Sequence, residues 1–394
     1  MPRPLEPLAP PTRDAEVEHA LRRVAAALDG SGPALVPVPP DRRGRAVIAM
    51  ARPDTPLEVG PSGEDVAMVV PTSGSTGDVK GALLTSSALR HSAAAALRGL
   101  GGPGQWLLAL PTTSVGGISV LVRSVVSGTR PELLEPDDGF TVAGFVAATQ
   151  RLTGPRRYAA LVPTQVWRLA AGPPAGLAAL ARYDAVLVGG AAFDDELAAA
   201  AAAAGARIVR TYGMTETCGG CVYDGAPLDQ VAVHAPADGP IEIGGPVVFA
   251  GYRLRPDLTA GALRLDGSRR WHITDDAGAI GADGLLQVRG RRDDVIITGG
   301  KKVSAWAIRR VLATNPALRG IEVLGVTDEE WGHRVVAFVV PADPTDPPTL
   351  ESIRAYGRPS LTTEALPRQV VVLDSIPLLP AGKPDRSALR ALAQ

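Results

Sequence analysis

Lysine is rare among the basic residues of this sequence. Of 40 basic residues in 394, only Lys80, Lys301, Lys302 and Lys383 are lysines; the other 36 are arginine. Where any positive charge serves, this chain writes arginine, so each lysine marks a place suited to a compact ammonium rather than a planar guanidinium. Cysteine is scarcer still. Cys218 and Cys221 are the only two, which excludes a disulfide framework, and no second Cys or His pair stands at zinc spacing, so both are read as reduced thiols. Net charge is nearly absent: 40 basic residues against 41 acidic ones leave −1. That excludes a global field for nucleic acid or an anionic membrane, and any charged ligand must be held by a local site. Long apolar runs are missing as well, broken by Arg, Asp or Gly, and the N-terminal MPRPLEPLAPPTRDAEVEH has no basic-then-apolar leader. Neither a membrane span nor a secretory signal is expected, which points to the cytoplasm.

What is present suffices for a large core. The chain is 45% hydrophobic, and at about 150 residues per domain its length predicts two or three units. Up to about residue 45 the sequence predicts one helix, Ala15 to Leu28, then a Pro-rich joint with no chemistry. From Val66 onward, short β-branched runs end in Gly/Ser/Thr clusters and lead into Ala/Leu-rich segments: VAMVVPTSGSTG, WLLALPTTSVGG, YAALVPTQ and AVLVGGAAF. This rhythm predicts a parallel α/β sheet, whose ligands sit beyond the carboxyl ends of the strands. After Gly239, short alternating runs separated by Gly signals predict an antiparallel region. After Asp294 the texture changes again, to about 100 residues of α+β, the size of a small separate domain. The fold class expected is therefore mixed α/β and α+β. A large domain of parallel sheets with a small β region spans 1–290, a joint 291–294, and a small α+β domain 295–394.

The sharpest local signal is Thr72-Ser73-Gly74-Ser75-Thr76-Gly77-Asp78-Val79-Lys80-Gly81. Glycines let backbone N–H groups turn toward an anion, hydroxyls add donors and Lys80 adds a point charge, which together suit a polyphosphate. It is not the common P-loop, which needs Gly-Lys-Ser/Thr in direct succession. Thr211-Tyr212-Gly213-Met214-Thr215-Glu216 offers an aromatic face, a glycine, a hydroxyl and one carboxylate. Beside phosphates that carboxylate is repelled unless a cation intervenes, which makes Glu216 a Mg²⁺ ligand candidate. Gly189 to Ala192 can admit a flat ring against the backbone or serve as a strand-end turn. Asp276 in WHITDDAG and Arg291 in GRRDD suit a ribose diol, although in isolation such residues are more often solvated turn residues. Last, Pro380-Ala381-Gly382-Lys383 presents the fourth lysine on a Pro/Gly loop.

Taken in order, PTSGSTGDVKG, GGAA, TYGMTE, Asp276, GRRDDVIITGGKKVS and PAGKPDR resemble the adenylate-forming superfamily of acyl-CoA synthetases, adenylation domains and luciferases, from about residue 66 to the end. LPTTSVGGISVLVRSVVSGT, LVPTQ and TYGMTETCGGCVYDG are most similar to the o-succinylbenzoyl-CoA synthetases of menaquinone biosynthesis. The resemblance implies ATP, Mg²⁺ and CoA, a small carboxylic acid substrate, and a two-step reaction through an acyl-adenylate. It implies that Thr72, Ser73, Gly74, Ser75, Thr76, Gly77 and Lys80 hold the β/γ-phosphates. Thr215 and Glu216 then manage the α-phosphate and Mg²⁺. Gly190, Ala191, Ala192, Tyr212, Gly213 and Met214 line the adenine, and Asp276 and Arg291 take the ribose. Lys383 bridges the acid and the α-phosphate, Asp293 is the hinge of a mobile C-terminal domain, and Gly299, Gly300 and Lys301, with Lys302, meet CoA. Ser114, Gly116, Thr217, Cys218 and Gly219 are the candidates for the acid's end of the pocket, the hydroxyls and backbone donors there holding its spare carboxylate. Members of the superfamily often form homodimers.

Three positions depart from the family pattern. Thr113-Ser114 replaces a frequent aromatic or His, Thr274-Asp275-Asp276 replaces Thr-Gly-Asp, and Ala305 stands where proline is common. A ligase for another aryl or acyl acid, or a carrier-protein-loading adenylating enzyme, is the alternative. A non-catalytic nucleotide sensor is disfavoured because both Lys80 and Lys383 are present.

Overall fold

The computed structural model describes residues 3–60, 63–73, 79–135, 139–236, 239–378 and 384–393, without the side chains of Ser73 and Asp293. The chain divides into two compact units. The first comprises 1–234, 242–274 and 280–286; the second comprises 235–241, 275–279 and 287–394.

The first unit opens on a helix, Asp14–Asp29, whose buried Val17, Ala20, Leu21, Val24, Ala27 and Leu28 recur at helical spacing. Gly30 ends it at φ 82°, the left-handed conformation glycine adopts freely. Two short strands flank this helix where the sequence predicts none. Leu5–Leu8 and Ala34–Pro37 pair in parallel, and the second lies parallel to Val66–Ser73. The Pro-rich joint is thus a fully buried strand with its prolines at its margins.

A second departure matters more for the site. The segment after Ser73 does not run from strand to helix but turns back as the antiparallel strand Val79–Thr85, in register Thr72 to Lys80 and Ser73 to Val79. Helix Ser86–Leu100 begins only after it, with the Thr85 hydroxyl accepting from Ala88 N at 3.1 Å as its cap. Gly251–Tyr252 closes this five-stranded sheet beside Val79–Thr85.

The seven-stranded second sheet follows the predicted α/β rhythm. Five of its strands, Ile208–Met214, Ala185–Val188, Arg157–Leu161, Gln105–Leu108 and Glu132–Leu133, are parallel neighbours in that order. Gly219–Tyr223 and Ala226–Pro227 extend it antiparallel. Leu107, Leu161, Val186 and Val188 pack on Phe145, Val166 and Leu169 of the covering helices, all buried. A four-stranded antiparallel sheet, ordered 232–234, 242–244, 269–273 and 263–266, supplies the β region read after Gly239.

The second unit is α+β. Strands Lys301–Ser304, Val295–Thr298, Gly332–Pro341 and Leu318–Asp328 are antiparallel, and Gln369–Val372 adds a parallel partner to Gly332–Pro341. Ile308 and Leu312 of helix Ala305–Leu312 and Ile353 of helix Leu350–Gly357 fill its core with Val323, Val335, Ala337 and Val339. The unit also takes in two short segments, 235–241 and 275–279, tied together by Ile241 N donating to the Asp276 carbonyl at 2.8 Å.

Candidate active site

Parallel strands in register bring their carboxyl ends to one edge. Leu161 pairs with Val188, and Val188 with Arg210. Gly189 to Ala192, Thr215 to Thr217 and Ser114 therefore leave the sheet on the same side, where ligands of open α/β sheets bind. Gly190 adopts φ 84°, and Gly190, Ala191 and Ala192 present exposed backbone there. Tyr212 is half-buried near the end of its strand.

Thr215 to Thr217 form a single 3₁₀ turn, and Thr215 and Glu216 are both buried. A buried carboxylate needs partners. Glu216 has one in Tyr252, whose hydroxyl donates to Oε1 at 2.8 Å. The Glu216 backbone is held as well, its carbonyl accepting from Phe249 N at 2.9 Å. The ring of Tyr252 also faces the hairpin lysine: Lys80 Nζ lies 5.5 Å from its centroid, a cation–π contact. Tyr252 opposes Ala82 in the strand after Lys80, and that register puts one aromatic side chain between the lysine of one motif and the carboxylate of another.

Tyr252 is supported by its neighbour. Arg253 is completely buried and uses all five of its N–H donors. Nε bonds Ala51 O at 2.9 Å, one terminal nitrogen bonds Pro56 O at 2.8 Å and the Glu58 carboxylate, and the other bonds Arg52 O at 3.0 Å and Thr55 O at 2.7 Å. The Arg253 backbone N donates to Gly81 O at 2.7 Å, locking the strand beside Lys80. Neither Tyr252 nor Arg253 is signalled by a motif in the sequence.

The donor set around Glu216 fits Mg²⁺. One carboxylate, whose Oε2 has no hydrogen bond among the described residues, and the threonine that precedes it in the turn suit a cation that keeps several waters and takes its remaining ligands from phosphate oxygens. Among the described residues no group of three His, Cys, Asp or Glu assembles a metal cage.

Other expected residues are placed differently. The Thr217 hydroxyl is fully buried, accepts from Met214 N at 2.9 Å and has its one hydrogen engaged by the Met214 and Gly219 carbonyls at 3.1 and 2.8 Å. It closes its own turn, and both the hydrogen and the oxygen of the hydroxyl expected to serve the substrate carboxylate are engaged there. Cys218 is also buried, at φ 55°, and its carbonyl accepts from the Ser92 and Ser119 hydroxyls at 3.1 and 3.3 Å. It ends the same turn. Ser114 precedes helix Val115–Ser127, half-buried, and donates to Pro111 O at 2.9 Å; Gly116 is half-buried in the first turn of that helix. Both cysteines are free thiols. Burial raises both pKa values, that of Cys221 to about 12, so neither is a thiolate at neutral pH.

Gly213 is explained by its own hairpin. A Cβ there stands 2.2 Å from the Gly219 carbonyl oxygen and 2.7 Å from Gly220 Cα, because the returning strand pairs Gly213 with Gly220. Gly213→Ala is expected to cost about 1–3 kcal/mol, the usual range for an overpacked site. The urea midpoint checks this, and a midpoint equal to the parent's refutes it. Gly219 is similarly crowded, a Cβ there falling 2.6 Å from Ser119 Oγ.

In the second unit, Arg291 pairs with Asp275 at 3.0 Å, and Asp276 opens the strand Asp276–Ile280. Asp293 lies in the 3₁₀ turn Arg292–Asp294. The next residue, Asp294, forms a bidentate pair with Arg386, one arm at 2.6 Å. Gly299 and Gly300, at φ 56° and 73°, are the two-residue turn between Val295–Thr298 and Lys301–Ser304, a geometry that by itself calls for glycine. Lys301 and Lys302 are exposed. Gly74, Ser75, Thr76, Gly77 and Lys383 lie outside the described residues, as does the side chain of Ser73.

Comparison with known proteins identifies the family. The AMP-binding enzyme family model matches residues 10–264, and that of the AMP-binding enzyme C-terminal domain matches 308–383. The chain belongs to the AMP-binding enzyme family, adenylate-forming enzymes with a large N-terminal and a small C-terminal domain. It is 45% identical over 374 residues to a probable 2-succinylbenzoate–CoA ligase of Mycobacterium tuberculosis, covering 94% of this chain and 93% of that one. A 2-succinylbenzoate–CoA ligase of Bacillus mycoides is 30% identical over 358 residues, with 84% of this chain and 71% of the relative covered. The solved o-succinylbenzoate CoA synthetase of Bacillus subtilis, in complex with its acyl-adenylate intermediate, matches with a TM-score of 0.73 at 23% identity, over 98% of this chain and 88% of that one. Among the described residues no helix is long and apolar enough to cross a membrane.

Proposed function

We propose that this protein is an AMP-forming acid–CoA ligase that converts o-succinylbenzoate, ATP and CoA to o-succinylbenzoyl-CoA, AMP and pyrophosphate. The observation that carries the reading is the array of Lys80, Tyr252 and Glu216 at the strand ends, a cation for phosphate beside a carboxylate for its metal. The 45% identity to the mycobacterial relative across nearly the whole chain supports the choice of acid.

The chemistry asks the site to bring a carboxylate to a tetra-anion, so positive charge in a water-poor pocket is the main requirement. Lys80 and residues 72–77 neutralise the β/γ-phosphates. Thr215 and Glu216 stand at the α-phosphate, where Mg²⁺ held by Glu216 supplies charge neutralisation. The exposed backbone of Gly190 to Ala192 and the ring of Tyr212 accept adenine, with Gly213 and Met214 alongside, and Asp276 and Arg291 take the ribose diol. Ser114 and Gly116 border the acid. Lys383 bridges the attacking carboxylate and the α-phosphate oxygens, and CoA thiolate then displaces AMP. Asp293 serves as the hinge by which 295–394 changes face between the two steps, with Gly299, Gly300 and Lys301 toward CoA.

Pyrophosphate release with o-succinylbenzoate, benzoate, a medium-chain fatty acid and an amino acid tests the choice of acid. Release is expected with o-succinylbenzoate at least tenfold faster than with the others; equal or greater release with another acid overturns it. Asp293→Pro is expected to leave adenylate formation within threefold and to slow thioester formation at least tenfold. Stopped-flow of the separate half-reactions checks this, and equal loss in both refutes the hinge.

A further inference from the structure

We propose that Tyr252 is a positioning residue that holds Lys80 and Glu216 apart and fixes the Glu216 carboxylate for its metal, an inference that rests on the proposed role of Glu216 as the Mg²⁺ ligand. Lys80 and Glu216 are of opposite charge and come from motifs far apart in the chain. In a pocket poorer in water than the surface, opposite charges attract strongly, and a direct pair leaves neither available to a nucleotide. Among the described residues they form no direct pair; the Tyr252 side chain lies between them. Its ring takes the ammonium at 5.5 Å and its hydroxyl donates to Oε1 of the carboxylate at 2.8 Å.

The two contacts have separate consequences. A hydroxyl on Oε1 stops the carboxylate from rotating and leaves Oε2 for a cation, the job an outer partner performs for a metal-bound ligand. The ring holds the ammonium by its face without consuming any of the three N–H donors that phosphate oxygens require. Tyr252 itself is held: its ring meets Phe249 edge-on at 4.9 Å, its backbone N donates to Thr259 Oγ1 at 2.9 Å, and buried Arg253 follows it. It is mostly buried, so exchange for phenylalanine removes one oxygen and keeps the packing.

Two binding measurements separate these contacts without turnover. The first is Mn²⁺ affinity of the complex with α,β-methylene-ATP, read by electron paramagnetic resonance. The second is affinity for the same analogue in EDTA, read by calorimetry. Tyr252→Phe is expected to weaken Mn²⁺ about tenfold, the lower end of the loss when a metal ligand's partner is removed, and to leave the metal-free affinity within twofold. Tyr252→Ala is expected to weaken both, because lysine and carboxylate can then pair. Glu216→Gln is expected to weaken Mn²⁺ at least as much as Tyr252→Phe. If Glu216→Gln weakens Mn²⁺ and Tyr252→Phe does not, the role of the tyrosine is overturned while that of Glu216 stands. If Glu216→Gln leaves Mn²⁺ binding unchanged, the metal role of Glu216 falls and that of Tyr252 with it.

Discussion

Replacing Lys383 with alanine is expected to slow acyl-adenylate formation by about 10²–10³-fold, the loss typical of removing one preorganised charge donor from a transition state. On the proposed mechanism the assignment is to the transition state, because only there does the incoming carboxylate share its charge with the α-phosphate, whereas Lys80 and residues 72–77 are proposed to hold the triphosphate already in the bound ground state. ATP affinity in Lys383→Ala should therefore stay within tenfold of the parent, about 1.4 kcal/mol. The described residues on either side of Lys383 are well anchored. Leu378 bridges Pro384, Asp385 N donates to Pro377 O at 2.8 Å, and the Asp385 carboxylate caps helix Arg386–Leu392. Arg386 then pairs with Asp294, one residue past the proposed hinge Asp293. Removing the lysine side chain leaves those contacts in place, so a lost rate is a lost charge. Calorimetric ATP binding beside single-turnover adenylation checks the split; equal losses in binding and rate contradict it.

Arg253→Ala is expected to destabilise the large unit by about 3–5 kcal/mol, the cost of breaking a buried ion pair by deleting one partner. The truncation removes the guanidinium donor from the Glu58 carboxylate, which keeps Leu254 N at 2.7 Å, and from four carbonyls, those of Ala51, Thr55, Pro56 and Arg52, the last of which keeps Thr55 N at 2.9 Å. Against a usual total of about 5–15 kcal/mol that is a large fraction. Arg253→Lys should restore only part, since an ammonium offers three donors where five are used. Because Arg253 continues the strand that presents Tyr252, nucleotide binding should weaken along with stability. Urea unfolding followed by circular dichroism checks the stability; a change below 1 kcal/mol contradicts the account.

Much of the site's outline was legible in the sequence, and specific physical reasons govern the rest. Buried β-branched runs ending in Gly/Ser/Thr announce parallel strand ends, and AVLVGGAA and TYGMTE fall at the carboxyl ends of two paired parallel strands. Lysine scarcity marks Lys80. The antiparallel return of Val79–Thr85 was not legible, because only its pairing with Val66–Ser73 across the sheet marks it as a strand. Tyr252 and Arg253 were invisible for another reason: their importance comes from pairing across a sheet with residues remote in the chain, and a short strand such as GY carries no periodicity. Thr217 shows the limit of composition, since a hydroxyl beside the site counts as a donor only until its own turn claims the hydrogen. Gly213 and the Gly299-Gly300 pair were noticed as glycines for ligand approach, and hairpin geometry accounts for all three.

The most direct test is a single-turnover experiment with o-succinylbenzoate, ATP and Mg²⁺, quenched before and after CoA is added and resolved by mass spectrometry. The account predicts an enzyme-bound o-succinylbenzoyl-adenylate with equimolar pyrophosphate before CoA, and after CoA its complete conversion to the thioester with one AMP released per thioester. Absence of both adenylate and pyrophosphate with this acid, while the protein still binds ATP, would contradict it.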